Sequence, residues 1–152
     1  MSNCNIDWIE ETAEICERFE VRVNGDSMLP LLGNGRDRLI VRHISENDEI
    51  LGRIVMCRTA PGHYVVHRAI KIENNMVTMR GDGRLTYDAP TNRENVIGIV
   101  EGVTRYNGKT EDCNSWSWRL RERLWLIQPM LLRRCNLAII RRWQRITHKE
   151  NR

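Results

Sequence analysis

The chain has 152 residues, 41% hydrophobic and 29% charged, enough for one domain with a real core and unlike a disordered or fibrous chain. The net charge of +4 hides a split: ten Lys/Arg against two acidic residues from Ser115 onward, and fourteen against eighteen in Met1 to Asn114. Five scattered cysteines (Cys4, Cys16, Cys57, Cys113, Cys135) show neither metal-ligand spacing nor a disulfide framework, which points to a reducing cytosol and to no metal or cofactor.

Met1 to Phe19 holds five acidic residues and no apolar run, so it does not read as a signal peptide. Leu124 to Leu132, the best apolar stretch, is interrupted by Gln128 and Pro129 and is too short to cross a bilayer. The expected location is therefore cytoplasmic, peripheral to the inner membrane face if the tail binds lipid.

Residues 5 to 18 read as a short amphipathic helix. Asn5 is placed to cap it, and Ile6, Ile9, Ala13 and Cys16 are spaced for one face. Phe19 to Asn24 alternates as a strand. Gly25-Asp26-Ser27-Met28-Leu29-Pro30 then breaks the pattern, because Gly25 permits a turn and Pro30 prevents a ladder or helix from continuing.

Further strands are expected at Leu39-Ile40-Val41, Arg53 to Arg58, His63 to Ile72, Met76 to Met79 and Asn95 to Tyr106. Ala60-Pro61-Gly62 and the Asn74-Asn75 pair mark turns between them. Many short strands joined by turn residues make an antiparallel β body. From Trp116 the periodicity changes to three and four. Leu120, Leu124, Ile127 and Leu131 form one stripe, and Trp118, Trp125, Leu132, Ile139 and Trp143 a neighbouring one. The predicted organisation is a β domain with an N-terminal helix over residues 1–107, a linker over 108–114, and a basic, Trp-rich helical appendage over 115–152, kinked at Pro129.

Three segments stand out together. They are Gly25-Asp26-Ser27-Met28-Leu29-Pro30 with the following Gly35-Arg36-Asp37-Arg38-Leu39-Ile40-Val41; Val65-Val66-His67-Arg68-Ala69-Ile70; and Arg80-Gly81-Asp82-Gly83 with Asp88 six residues after Asp82. Each has a plain structural reading. Ser27 and the two aspartates suit turns, and His67 suits a strand position, with His43 and His63 equally good bases by composition.

In this order and spacing the segments resemble the type I signal peptidase and LexA-type superfamily of serine peptidases. The closer likeness is to the branch, typified by endoplasmic-reticulum and archaeal signal peptidases, that uses His where bacterial signal peptidases use Lys. The resemblance covers roughly Phe19 to Val103. It implies a signal-peptidase/LexA-like, mainly β fold and a serine endopeptidase that cleaves a leader, signal or pro-peptide. Ser27 would be the nucleophile, His67 the general base and Asp88 the acidic residue that completes the site. Asp82 would shape its loop, with Gly25, Asp26, Met28, Arg68 and Gly81 supporting.

A serine hydroxyl needs such a base, and an imidazole of ordinary pKa about 6.5 can take its proton and return it to the leaving amine. Two departures from the family pattern are visible. Gly25 stands where some relatives carry a hydroxyl residue, and Gly83-Arg84 stands where the branch commonly has an Asn pair. The alternative from another class is a non-catalytic peptide-binding module of the same fold, docked through its basic tail. A self-cleaving LexA-like regulator ranks lower, because no helix-turn-helix is read ahead of the body.

Eight arginines between Arg119 and Arg145 are interleaved with tryptophans. That suits an interfacial helix on an anionic membrane surface through residues 115–145. A hairpin packed on the β body is the next reading, and a nucleic-acid surface the least favoured.

Overall fold

In a computed structural model, which describes residues 17–150, the alternating runs become one antiparallel sheet of eight strands. In chain order these are β1 (Arg18–Arg22), β2 (Arg38–His43), β3 (Ile54–Ala60), β4 (His63–Glu73), β5 (Met76–Arg80), β6 (Thr91–Asn92), β7 (Val96–Thr104) and β8 (Thr110–Asp112). Helices α1 (Trp116–Leu126) and α2 (Met130–Glu150) follow. The spatial order is β1-β2-β7-β3-β4-β5-β6, with β8 also on β7. The mainly antiparallel β class read from the sequence is therefore observed, together with two C-terminal helices. Residues 5–16 of the expected N-terminal helix lie outside the described residues, and Arg18 opens β1 instead of ending a helix.

Two apolar clusters cover opposite faces of the central strands. Ile54 and Met56 of β3 join Phe19, Val41, Val100 and Trp118 on one side. Val55 and Cys57 join Ala69, Val77, Met79 and Ile99 on the other. Burial on both faces explains why Ile54-Val55-Met56-Cys57 is continuously apolar where a half-exposed strand would alternate. β7 pairs with β2 along Gly98–Thr104 and with β3 along Val96–Ile99, so it joins the two parts of the sheet. A side chain at Gly98 would sit 2.8 Å from the Arg42 carbonyl oxygen; that strand approach requires glycine. The Asn74-Asn75 turn is as expected, with φ of 48° and 63° at its two residues.

The C-terminal third departs from the expected organisation. Residues 108–114, read as a linker, contain β8, which continues the sheet through Gly102↔Asp112 and Val103↔Glu111. Ser115 caps α1 by accepting from the Trp118 amide at 3.3 Å. Trp118 is wholly buried in the core of the β body, and Trp125 packs with Leu29 and Leu137. The expected stripe of Trp118, Trp125, Leu132, Ile139 and Trp143 therefore divides. Its first two members are buried and the other three exposed.

Candidate active site

Ser27 stands on the excursion between β1 and β2. The excursion is closed at its base by Val23 N–H to the Asp37 carbonyl (3.0 Å) and Gly35 N–H to the Val23 carbonyl (2.9 Å). Gly25 turns it at φ 95°, and its amide donates to the Asn34 side chain at 2.9 Å. Met28, Leu29, Leu31 and Leu32 are all buried, so the apolar residues following Ser27 pin the loop while Ser27 itself stays half-buried and Asp26 exposed. Arg105 adds a polar anchor, donating to the Leu31 carbonyl (2.9 Å) and to the buried Asp37 carboxylate (2.6 Å).

His67 lies in β4 and is buried. Its Nδ1 is hydrogen-bonded to Asp88 Oδ2. Asp88 is placed by its own amide, which donates to the Met79 carbonyl at 2.8 Å. The other ring nitrogen, Nε2, faces Gly81: a side-chain carbon there would lie 3.2 Å from Nε2 and would overlap the Ser27 carbonyl oxygen. Gly81 thus lets the Ser27 segment and the His67 ring meet. Gly83 is equally close to this loop, and its amide donates to the Ser27 carbonyl at 2.8 Å. Ser27, His67 and Asp88 line one cleft of about 680 Å³. His43 and His63, the alternative bases by composition, do not line it. The Ser27 hydroxyl and Nε2 are not hydrogen-bonded to one another among the described residues.

Asp82 does not reach the imidazole ring's Nδ1; it turns to Arg68. The Arg68 fork donates from Nε to Asp82 Oδ1 (2.9 Å) and from Nη2 to Asp82 Oδ2 (2.7 Å), while Nη1 donates to Glu122 (2.8 Å) and to the Gly52 carbonyl (2.8 Å). Burial alone would lower the Arg68 guanidinium, but Asp82 and Glu122 outweigh it and hold it above its ordinary value. This triad sits directly behind the site, since Arg68 follows His67 and Asp82 follows Gly81.

Helical residues complete the support. Trp125 Nε1 donates to the Asp82 carbonyl at 3.0 Å, and Arg141 to the Gly83 carbonyl at 2.9 Å. Arg105, Glu122, Trp125 and Arg141 were not among the residues expected to serve the site. Their partners are 43 to 74 residues away in sequence, and no local pattern marks them.

Such an arrangement can move a proton. Nδ1 held by a carboxylate leaves Nε2 as the nitrogen available to a hydroxyl in the cleft. The described residues contain no group of three or more His, Cys, Asp or Glu able to hold a metal. Comparison of the chain with protein-family models, curated proteins and solved structures finds no match to any of them.

Proposed function

We propose that this protein is a serine endopeptidase with a signal-peptidase/LexA-like fold, cleaving a leader, signal or pro-peptide. The observation that carries the reading is the orientation of His67, with Nδ1 on Asp88 and Nε2 toward the Ser27 loop.

In the reaction, the Ser27 Oγ attacks the scissile carbonyl carbon while Nε2 of His67 accepts the hydroxyl proton. Asp88 fixes the tautomer and stabilises the imidazolium. The Ser27 amide, which makes no backbone hydrogen bond among the described residues, is available to the developing oxyanion. With Gly25 two residues before Ser27, a second donor would also be a backbone amide. The imidazolium then protonates the leaving amine as the C–N bond breaks. Water hydrolyses the acyl-enzyme with His67 again as the base.

The cleft also suits an extended peptide. Among the described residues the outer edge of β1 beside Val21 and Arg22 is unpaired, and β5 pairs with β4 only from Arg68 onward. The Tyr64–Val66 edge and the β1 edge both line the cleft, so a substrate strand could add its backbone hydrogen bonds there. Met28, Leu32, Met56 and Val66 give the lining an apolar character and favour apolar substrate side chains.

The test is digestion of a mixed peptide library read by mass spectrometry, comparing wild type with Ser27→Ala, His67→Ala and Asp88→Asn. Cleavage by wild type alone, with Asp88→Asn slowed about 10²–10⁴-fold, is the expected result. One observation favours the second reading, a peptide-binding module: the missing hydrogen bond between Ser27 and His67, although such bonds often tighten only with substrate. Peptide binding by wild type with no cleavage above the Ser27→Ala background would leave that module in place of the enzyme.

A further inference from the structure

Helix α1 has two unlike faces. Trp118, Glu122 and Trp125, spaced four and three, are buried against the sheet and the Asp82 loop. Trp116, Leu120 and Leu124, spaced four and four, form another row, followed across the helix break by Ile127 and Leu131. These five are 46% to 81% exposed. A row of large apolar residues that folding leaves in water is the kind of surface that marks an interaction site.

Its electrostatic surroundings are one-sided. Arg121, Arg123, Arg134, Arg141 and Arg142 are exposed on the same two helices. From Trp116 to Trp143 the sole acidic residue is Glu122, which is buried and bonded to Arg68. Arg121 is committed to Glu111 and Arg141 to the Gly83 carbonyl. Arg123 and Arg134 have no partner among the described residues. Tryptophan, a residue favoured at membrane–water boundaries, is exposed at positions 116 and 143.

These features select among occupants. A second copy docked through the same patch would oppose arginine to arginine across the contact. A nucleic acid would leave the leucine and isoleucine side chains without an apolar partner. A bilayer with anionic headgroups meets both needs, acyl chains for the apolar row and phosphates for the arginines. No helix among the described residues is long and apolar enough to cross a membrane, which leaves binding in the interfacial plane.

We propose that the exposed row of α1 and the start of α2, with Arg123 and Arg134, is a docking surface for an anionic lipid bilayer. Docking uses the outer face of α1, so the inner-face contacts to Arg68 and Asp82 remain intact. The proposal is independent of whether Ser27 is a nucleophile.

The experiment is flotation of the full chain with phosphatidylcholine vesicles, with and without phosphatidylglycerol, at low and high salt. Flotation should require phosphatidylglycerol and fall with salt. Arg123→Gln/Arg134→Gln should weaken partitioning about tenfold or more, and Leu124→Gln/Ile127→Gln should weaken it comparably. All four side chains are exposed, so thermal melts of both variants should match wild type. Three results would overturn the proposal: no flotation on phosphatidylglycerol vesicles at low salt, equal flotation on neutral vesicles, or partitioning unmoved by both double variants. Light scattering that finds a dimer abolished by Leu124→Gln/Ile127→Gln, without flotation, would assign the face to a second copy. Because the readout is lipid binding, an inactive site would not affect it.

Discussion

Replacing Arg68 with methionine probes the support behind the candidate site without touching Ser27, His67 or Asp88. Arg68 and Asp82 are each 1% exposed, and the Glu122 side chain 8%. Methionine fills much of the stem's volume but removes the paired guanidinium from Asp82, leaving it the more distant Arg133. It leaves Glu122 paired with Arg119, 3.5 Å away and more exposed, with Arg53 farther off. Orphaning one partner of a buried ion pair costs about 3–5 kcal/mol, a large share of the roughly 5–15 kcal/mol that holds a domain folded. With a urea dependence of about 1–3 kcal/mol per molar, the midpoint should fall by about 2 M.

Tryptophan fluorescence is the natural assay, since Trp125 donates to the Asp82 carbonyl. Arg68→Lys keeps the charge but loses the fork and should fall between the two. The cause can be separated by adding Asp82→Asn and Glu122→Gln to Arg68→Met. If orphaned charge is the cost, the triple variant regains much of the loss. A single variant within about 1 kcal/mol of wild type, the level of a surface pair, would refute the reasoning, as would a triple variant no more stable than the single one.

Three further outcomes follow from particular contacts. Gly81→Ala places a methyl group onto the Ser27 carbonyl and 3.2 Å from His67 Nε2. A displacement of about 1 Å there should lower peptide turnover about a hundredfold, so unchanged kcat in a folded variant would contradict the close approach. Burial pushes the Cys57 thiol up to about 11 and the Cys113 thiol up to about 12, while Cys135 is exposed. Peptide mapping after iodoacetamide treatment of the native protein should therefore find Cys135 modified, and Cys57 and Cys113 modified only after unfolding.

Acid should weaken the fold in a defined window. Arg42 holds Asp48 down to about 2 from 3.8, and Arg121 with Arg105, acting against burial, holds Glu111 down to about 2 from 4.5. A carboxylate depressed in the folded state stabilises it above the unfolded value, and that contribution is lost as pH falls toward about 2. Urea midpoints from neutral pH down to about 2 should show this decline, and Arg42→Gln should reduce the part due to Asp48.

Local chemistry made most of the strand pattern legible. Side chains alternate with a period of two along β4 up to the irregularity between Ala69 and Lys71, and Asn74-Asn75 and Ala60-Pro61-Gly62 carry the backbone preferences that their turns need. Ser27 could be placed on an irregular bend because Gly25 and Pro30 act on their own neighbours. Choosing His67 from among the histidines was different: it rested on the order of three segments, since nothing local distinguishes it from His43 or His63.

What the sequence determined by itself was therefore the class of fold, the bend that carries Ser27, and a basic amphipathic tail. Only in the folded molecule does β8 occupy the expected linker, Trp118 lie buried while Trp116 is exposed, and Asp82 turn to Arg68. The physical reason is the range of the interactions. Turn and strand preferences act over a few residues, whereas Arg68 meets Asp82 and Glu122 across 14 and 54 residues. Such partners are selected only when packing brings them together and removes the water between them.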